Sequence, residues 1–149
     1  MITTSPAETK ALGRRLAKVL GGGENLLLVG DLGSGKTAFV QGLAEGFGVT
    51  EPVKSPTYTY LREYRLPRRS TRLAHFDLYR LPDRPTRRDL ESIELLERLA
   101  DDNTIAVVEW ADKLSRTAHG NQFVVEFAVR GDTEREIILP ESLRKALPT

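Results

Sequence analysis

The sequence predicts an α/β fold in three layers, with helices on the faces of a mixed central sheet that includes antiparallel hairpins. Three observations predict it. Asn25 to Val29 is a short apolar run that passes through a glycine-rich turn into a helix-compatible segment, the pattern of a buried strand feeding a helix. Thr104 to Val108 is a second buried strand of the same kind. Two further pairs of strand-like segments are joined by Pro- or Gly-containing turns and read as hairpins.

Taken in order, Ser5, Pro6 and Glu8 form a capping-box start, and Leu12, Leu16, Val19 and Leu20 follow at helical spacing until Gly21 to Gly23 stop the helix. The strand 25–29 comes next, then a helix from Gly35 to Phe47 that Gly48 ends. Thr57 to Tyr64 alternates Tyr58, Tyr60 and Tyr64 with Thr57, Thr59 and Leu61, a strand period rich in β-formers. Pro67 to Thr71 turns the chain, and Leu73 to Leu78 returns as its hairpin partner. Pro82 and Pro85 interrupt regular structure before a helix presenting Leu90, Ile93, Leu96, Leu99 and Ala100. Phe123 to Val129 and Glu134 to Leu139 flank Gly131-Asp132 as a second hairpin, with a short closing helix after Pro140.

At 149 residues the chain has the length of one domain, expected to run from 1 to 149 around one core. No apolar run is long enough to cross a membrane, and the start lacks a basic, then apolar, leader, so the expected compartment is the cytoplasm. With no cysteine, disulfides, thiolate nucleophiles and zinc-thiolate sites are excluded, and any metal is held mainly by oxygen. Basic and acidic residues number 22 and 21, so bulk charge gives no reason to bind DNA or an anionic membrane. Charge is nonetheless segregated: Arg62 to Arg88 is basic and Asp89 to Asp112 acidic, which implies two differently charged faces.

The chemistry concentrates in Gly30-Asp31-Leu32-Gly33-Ser34-Gly35-Lys36-Thr37, which fits G-x-x-x-x-G-K-[ST] and stands between a strand and a helix, where a P-loop must stand. From this composition the pattern arises by chance roughly 0.005 times in the whole chain. Glycines let backbone N–H groups wrap phosphates, the helix N-terminus adds partial positive charge, Lys36 reaches the β and γ oxygens, and the Thr37 hydroxyl can ligate Mg²⁺. The fold expected is therefore P-loop NTPase-like, and the ligand a nucleoside polyphosphate.

Hydrolysis also needs carboxylates near the metal. Glu109 ends the strand 105–109 as a Walker-B-like acid, and Asp77 ends the strand 73–77. His75 alternates with Asp77 and is either a water-polarising group or a structural histidine. Trp110 is expected to be half core and half lid. Arg80 is a candidate arginine finger, and Thr57, within Ser55-Pro56-Thr57, lies where a γ-phosphate-sensing switch residue would lie.

These motifs resemble the TsaE (YjeE) family of small P-loop ATPases. The resemblance covers Glu8-Thr9 with Leu12-Gly13, the P-loop 30–37, Ser55-Pro56-Thr57, the run His75 to Leu81, Glu109-Trp110 and, loosely, Arg135. It implies a cytoplasmic ATPase that uses ATP and Mg²⁺ and acts with the partners TsaD and TsaB in threonylcarbamoyladenosine modification of tRNA. The tRNA would be met indirectly, through the complex, and no membrane or DNA is implied. On the same carry-over Lys36 and Thr37 hold phosphates and Mg²⁺, Glu109 completes the metal shell, Asp77 is a catalytic or metal-linked acid, and Thr9 and Arg135 flank the base. The chain departs from the family at 91–94, where Glu91-Ser92-Ile93-Glu94 replaces a Leu-Gly pair. Adenine is preferred over guanine by the resemblance, and no Asn-Lys-x-Asp guanine reader follows Glu109. Two other readings stay open at this point: a small-molecule kinase with Asp77 as base and Arg84, Arg87 and Arg88 in a lid, and a nucleotide-dependent scaffold.

Overall fold

In the computed structural model, which describes residues 1–114 and 121–148, the chain forms β1 (Ile2–Thr3), α1 (Pro6–Ala17), β2 (Asn25–Val29), α2 (Lys36–Gly46), β3 (Leu61–Arg65), β4 (Arg72–Asp77), α3 (Arg87–Ser92), α4 (Leu95–Leu99), β5 (Thr104–Glu109), β6 (Gln122–Val129), β7 (Arg135–Ile138) and α5 (Glu141–Ala146). One seven-stranded sheet has the order β1-β7-β6-β2-β5-β4-β3. Strands β6, β2, β5 and β4 run parallel, and β3, β7 and β1 pair antiparallel at the edges.

The central strands are apolar on both sides because both sides are covered. Leu26 and Leu28 of β2 join Leu12, Leu16, Phe39 and Leu43 of α1 and α2 in one core cluster. Leu27 and Val29 point the other way, into a cluster with Ala74, Phe76, Val108 and Leu95, against which Leu90, Ile93 and Leu99 of the α3–α4 region pack. The result is three layers, α1 and α2 on one face and α3 and α4 on the other. No helix among the described residues is long and apolar enough to cross a membrane.

Ser5 caps α1 as expected, its hydroxyl accepting from the Glu8 N–H, but the Glu8 carboxylate reaches back to the Thr4 N–H and hydroxyl and not to Ser5. The helix ends at Ala17, short of the glycines. Strand β1, which the sequence did not announce, is two residues long and borrows its ladder from β7 through Ile2↔Glu136 and Thr3↔Arg135.

Two expectations are corrected. Thr57 to Tyr60 is a turn and not the start of a strand: the Tyr60 N–H donates to Pro56 O at 2.7 Å, Tyr60 takes a left-handed φ of 64°, and the ladder with β4 begins only at Leu61. The turn forms because the Ser55 and Thr57 hydroxyls are tied to Asp77, which draws the segment over the strand end. The tyrosines therefore do not form one stripe: Tyr64 is buried and Tyr58 is 79% exposed. The helix expected at 89–100 is also broken, into α3 and α4, at Glu94, whose left-handed φ of 62° reorients the chain so that Leu95 reaches the core.

The basic stretch divides as well. Arg65, Arg69 and Arg72 line a cleft at the β3–β4 turn, at the N-terminal end of β4, whereas Arg80 lies beyond its C-terminal end.

Candidate functional site

Parallel strands carry their C-terminal ends to the same edge of the sheet, so Val29, Asp77 and Glu109 end together, with Asp77 and Glu109 directly paired in register. That edge is where open α/β sheets place their ligands. The loop 30–35 leaves β2 there and delivers Lys36 and Thr37 as the first residues of α2. Gly35 sits at the helix start with φ 105°, a conformation that only glycine adopts without strain.

A cleft of about 510 Å³ opens over this edge, lined by Gly33 to Ala38, Ser55, Thr57, Asp77, Tyr79, Glu109 and Trp110. Ser34 is 1% exposed and its hydroxyl has no partner among the described residues, a buried polar group without an acceptor. Leu32 lies at the loop tip, 81% exposed.

Each carboxylate has its own set of donors. Glu109 Oε1 accepts from the Thr37 hydroxyl at 3.0 Å, and Glu109 Oε2 lies 2.5 Å from His75 Nε2. Asp77 Oδ2 accepts from Ser55 Oγ and from Thr57 Oγ1, and Oδ1 accepts from the Tyr79 N–H at 2.9 Å. Both acids are almost wholly buried, and so is His75. The histidine thus faces Glu109 and not a free water position. Ser55 is the residue that sequence reasoning underweighted: Ser-Pro-Thr singled out Thr57, yet both hydroxyls converge on Asp77.

Lys36 is folded back. Its ammonium donates to Gly30 O and to Asp31 O, the latter at 3.0 Å, and stands 4.0 Å from the centroid of the Trp110 ring. Burial pulls its pKa below the ordinary lysine value, against the opposing fields of Glu109, Asp112, Asp31 and Asp77. Trp110, held at φ 59° and in tilted contact with Tyr79 at 5.1 Å, is half-buried and turns its ring face to the lysine.

Thr9 and Arg135 meet in an adjoining cavity of about 340 Å³ that shares Gly33, Gly35 and Ala38 with the main cleft. Arg135 Nε donates to Gly33 O at 2.9 Å, and Thr9 Oγ1 is hydrogen-bonded with Thr3 Oγ1 at 2.8 Å. Arg80 is not brought into the cleft; its guanidinium lies 5.0 Å from the Tyr58 ring centroid. Among the described residues no group of three or more His, Asp or Glu could hold a metal by itself. The side-chain oxygens lining the cleft include those of Thr37, Ser55, Thr57, Asp77 and Glu109, so any cation there would meet hydroxyls and two carboxylates.

The family model for "Threonylcarbamoyl adenosine biosynthesis protein TsaE" matches residues 3–137. The tRNA threonylcarbamoyladenosine biosynthesis protein TsaE of Bacillus subtilis (strain 168) is 38% identical over 139 residues, which cover 91% of this chain and 80% of the relative. The protein of the same name from Nostoc sp. is 40% identical over 114 residues, covering 71% of this chain and 64% of the relative. Among solved structures, the crystal structure of Bacillus subtilis YdiB superimposes with a TM-score of 0.76 at 31% identity, covering 97% of this chain and 90% of that one.

Proposed function

The chain belongs to the TsaE family, whose place is in tRNA threonylcarbamoyladenosine biosynthesis, and from that premise we propose that it is the ATP-binding and ATP-hydrolysing subunit of that machinery, Mg²⁺-dependent and stimulated by its partners TsaD and TsaB. The observation that carries this reading is the convergence of the P-loop with two buried, separately anchored carboxylates at paired positions of β4 and β5.

The residues fit both groups. The loop amides and the α2 N-terminus would present donors to phosphate oxygens, and Ser34 lines the same cleft with its hydroxyl buried and unpartnered among the described residues. Thr37 and Glu109 would hold Mg²⁺, with Asp77 beside them, and the bound ion would supply charge neutralisation at the β and γ phosphates. Thr37 donates its hydrogen to Glu109, so its oxygen lone pairs remain free for a cation.

Lys36 exchanges partners on binding: it leaves Gly30 O and Asp31 O for phosphate oxygens, whose negative charge repays the burial of its own. Asp77 offers a fixed acceptor for orienting a water at the strand end. Thr57, already hydrogen-bonded to Asp77, is placed to report the occupancy of that position to the exposed turn carrying Tyr58. The adjoining cavity between Thr9 and Arg135 is the position for the base.

The test is ATP hydrolysis by the purified chain with and without TsaD and TsaB. Stimulation by the partners, lost in Lys36→Ala and Asp77→Ala, is the expected result. Turnover that appears only with small hydroxylated metabolites would replace this reading with a kinase. Retention of tRNA modification by Asp77→Asn or Glu109→Ala would replace it with a scaffold.

A further inference from the structure

We propose that His75 is a positioning residue for Glu109, fixing the carboxylate so that it meets the Mg²⁺–nucleotide complex in one orientation; the inference rests on the nucleotide-binding function proposed above.

Glu109 is 2% exposed at the end of β5, and among the described residues its carboxylate has only two hydrogen-bond donors, Thr37 on Oε1 and His75 on Oε2. The two oxygens are thus divided. One faces α2 and the phosphate loop, and the other is held from the neighbouring strand. His75 reaches it because β4 and β5 are parallel and in register: His75 pairs with Val107 and Asp77 with Glu109. Residues alternate faces, so His75, Asp77 and Glu109 lie on one side of adjacent strands.

The arrangement also places the shared hydrogen. A carboxylate only accepts, so the hydrogen shared with Glu109 lies on Nε2, while Nδ1 is buried with no hydrogen-bond partner among the described residues. A purely space-filling histidine would have no need to aim a nitrogen at the acid. Leaving Nδ1 unsatisfied inside the core is a cost that the Nε2 contact must offset. Without His75, Glu109 keeps a single anchor, Thr37, whose oxygen is also the cation's ligand. The acid and the cation site would then loosen together. Groups that orient a metal-binding side chain from behind typically change metal affinity or activity about 10- to 100-fold when removed.

The test measures ADP affinity by calorimetry in the presence and absence of Mg²⁺ for the wild type, His75→Leu and His75→Gln. Gln retains a donor in place of Nε2–H, and Leu fills space without one. His75→Leu is expected to leave Mg²⁺-free affinity little changed and to lose most of the Mg²⁺-dependent gain, about 10- to 100-fold, with His75→Gln restoring much of it. A second readout is nitrogen-detected NMR of the imidazole. It should show an Nε2–H tautomer with a slowly exchanging downfield proton, which Glu109→Gln perturbs. Wild-type Mg²⁺ dependence in a folded His75→Leu, or an Nδ1–H tautomer, would overturn the assignment. Absence of Mg²⁺-dependent nucleotide binding by the wild type would instead overturn the function on which it rests, while the NMR measurement still decides whether the His75–Glu109 bond exists.

Discussion

Replacing Gly42 with alanine sets a local gain against a tertiary loss. Gly42 lies inside α2, where alanine is the better helix former by about 1 kcal/mol. It also faces α1 at its closest approach. A Cβ built on it would lie 2.0 Å from Lys10 O and 2.6 Å from the Lys10 C and Cα atoms. Even a favourable C–H···O contact needs about 3.3 Å, so α1 would have to retreat by about 1.3 Å. Every atom met is backbone, and no rotamer can relieve the clash.

Overpacking of a filled core costs about 1–3 kcal/mol, occasionally more, and a rigid backbone contact belongs at the upper end. Against the propensity gain, a net loss of about 2 kcal/mol remains, or about 4–8 °C in Tm at the roughly 2–4 °C per kcal/mol of a chain this size. Thermal denaturation followed by circular dichroism reads it. Gly21→Ala is the control, since nothing lies within 4 Å of its Cβ position, and it should melt with the wild type. Gly42→Ala melting at or above the wild type would refute the reasoning, because propensity would then outweigh the α1–α2 contact.

Lys36→Met should raise Tm at neutral pH while abolishing nucleotide binding. Burial lowers the folded-state pKa of Lys36 below the ordinary value of 10.5, so between the two the unfolded chain holds the extra proton and stability rises with pH. The advantage of Met over Lys should therefore shrink on titration towards 10.5, and a Tm difference that grows with pH would contradict it. The chain has one tryptophan, and its ring sits over the Lys36 ammonium. ATP should draw the lysine away and change intrinsic fluorescence saturably, a response absent from Lys36→Ala; an unchanged emission at saturating ATP would mean that the lysine stays folded back. Glu94→Gly should raise Tm by about 1–4 °C, the relief of a left-handed non-glycine residue exceeding the extra chain entropy of glycine, whereas Glu94→Ala should bring no such gain.

The α/β class, the P-loop and most strands and helices were legible because each is specified by neighbours in the chain. Eight consecutive residues carry the loop, a strand buried on both faces reads as an unbroken apolar run, and caps mark helix starts. Asp77 and Glu109 could be nominated one at a time, as acids at strand ends, by the same local logic.

Tertiary structure decided how they meet. The pairing of β4 with β5 sets Asp77 beside Glu109 and brings His75 behind it, and no spacing between residues 75 and 109 encodes a parallel register. Thr57 leaves its expected strand alternation because the hydroxyl contacts that it and Ser55 make with Asp77, remote in sequence, outweigh a β propensity worth only about 1 kcal/mol across its whole scale. Strand β1 is too short to carry a signal and exists because β7 offers it an edge. Lys36 is assigned by its motif, yet its folded-back state under Trp110 follows from burial, which makes a buried ammonium take whatever carbonyls and ring face lie within reach. By itself the sequence nominated the residues proposed to carry the phosphate chemistry; the packing of distant strands decided which of them touch one another, because burial and hydrogen bonding depend on neighbours in space.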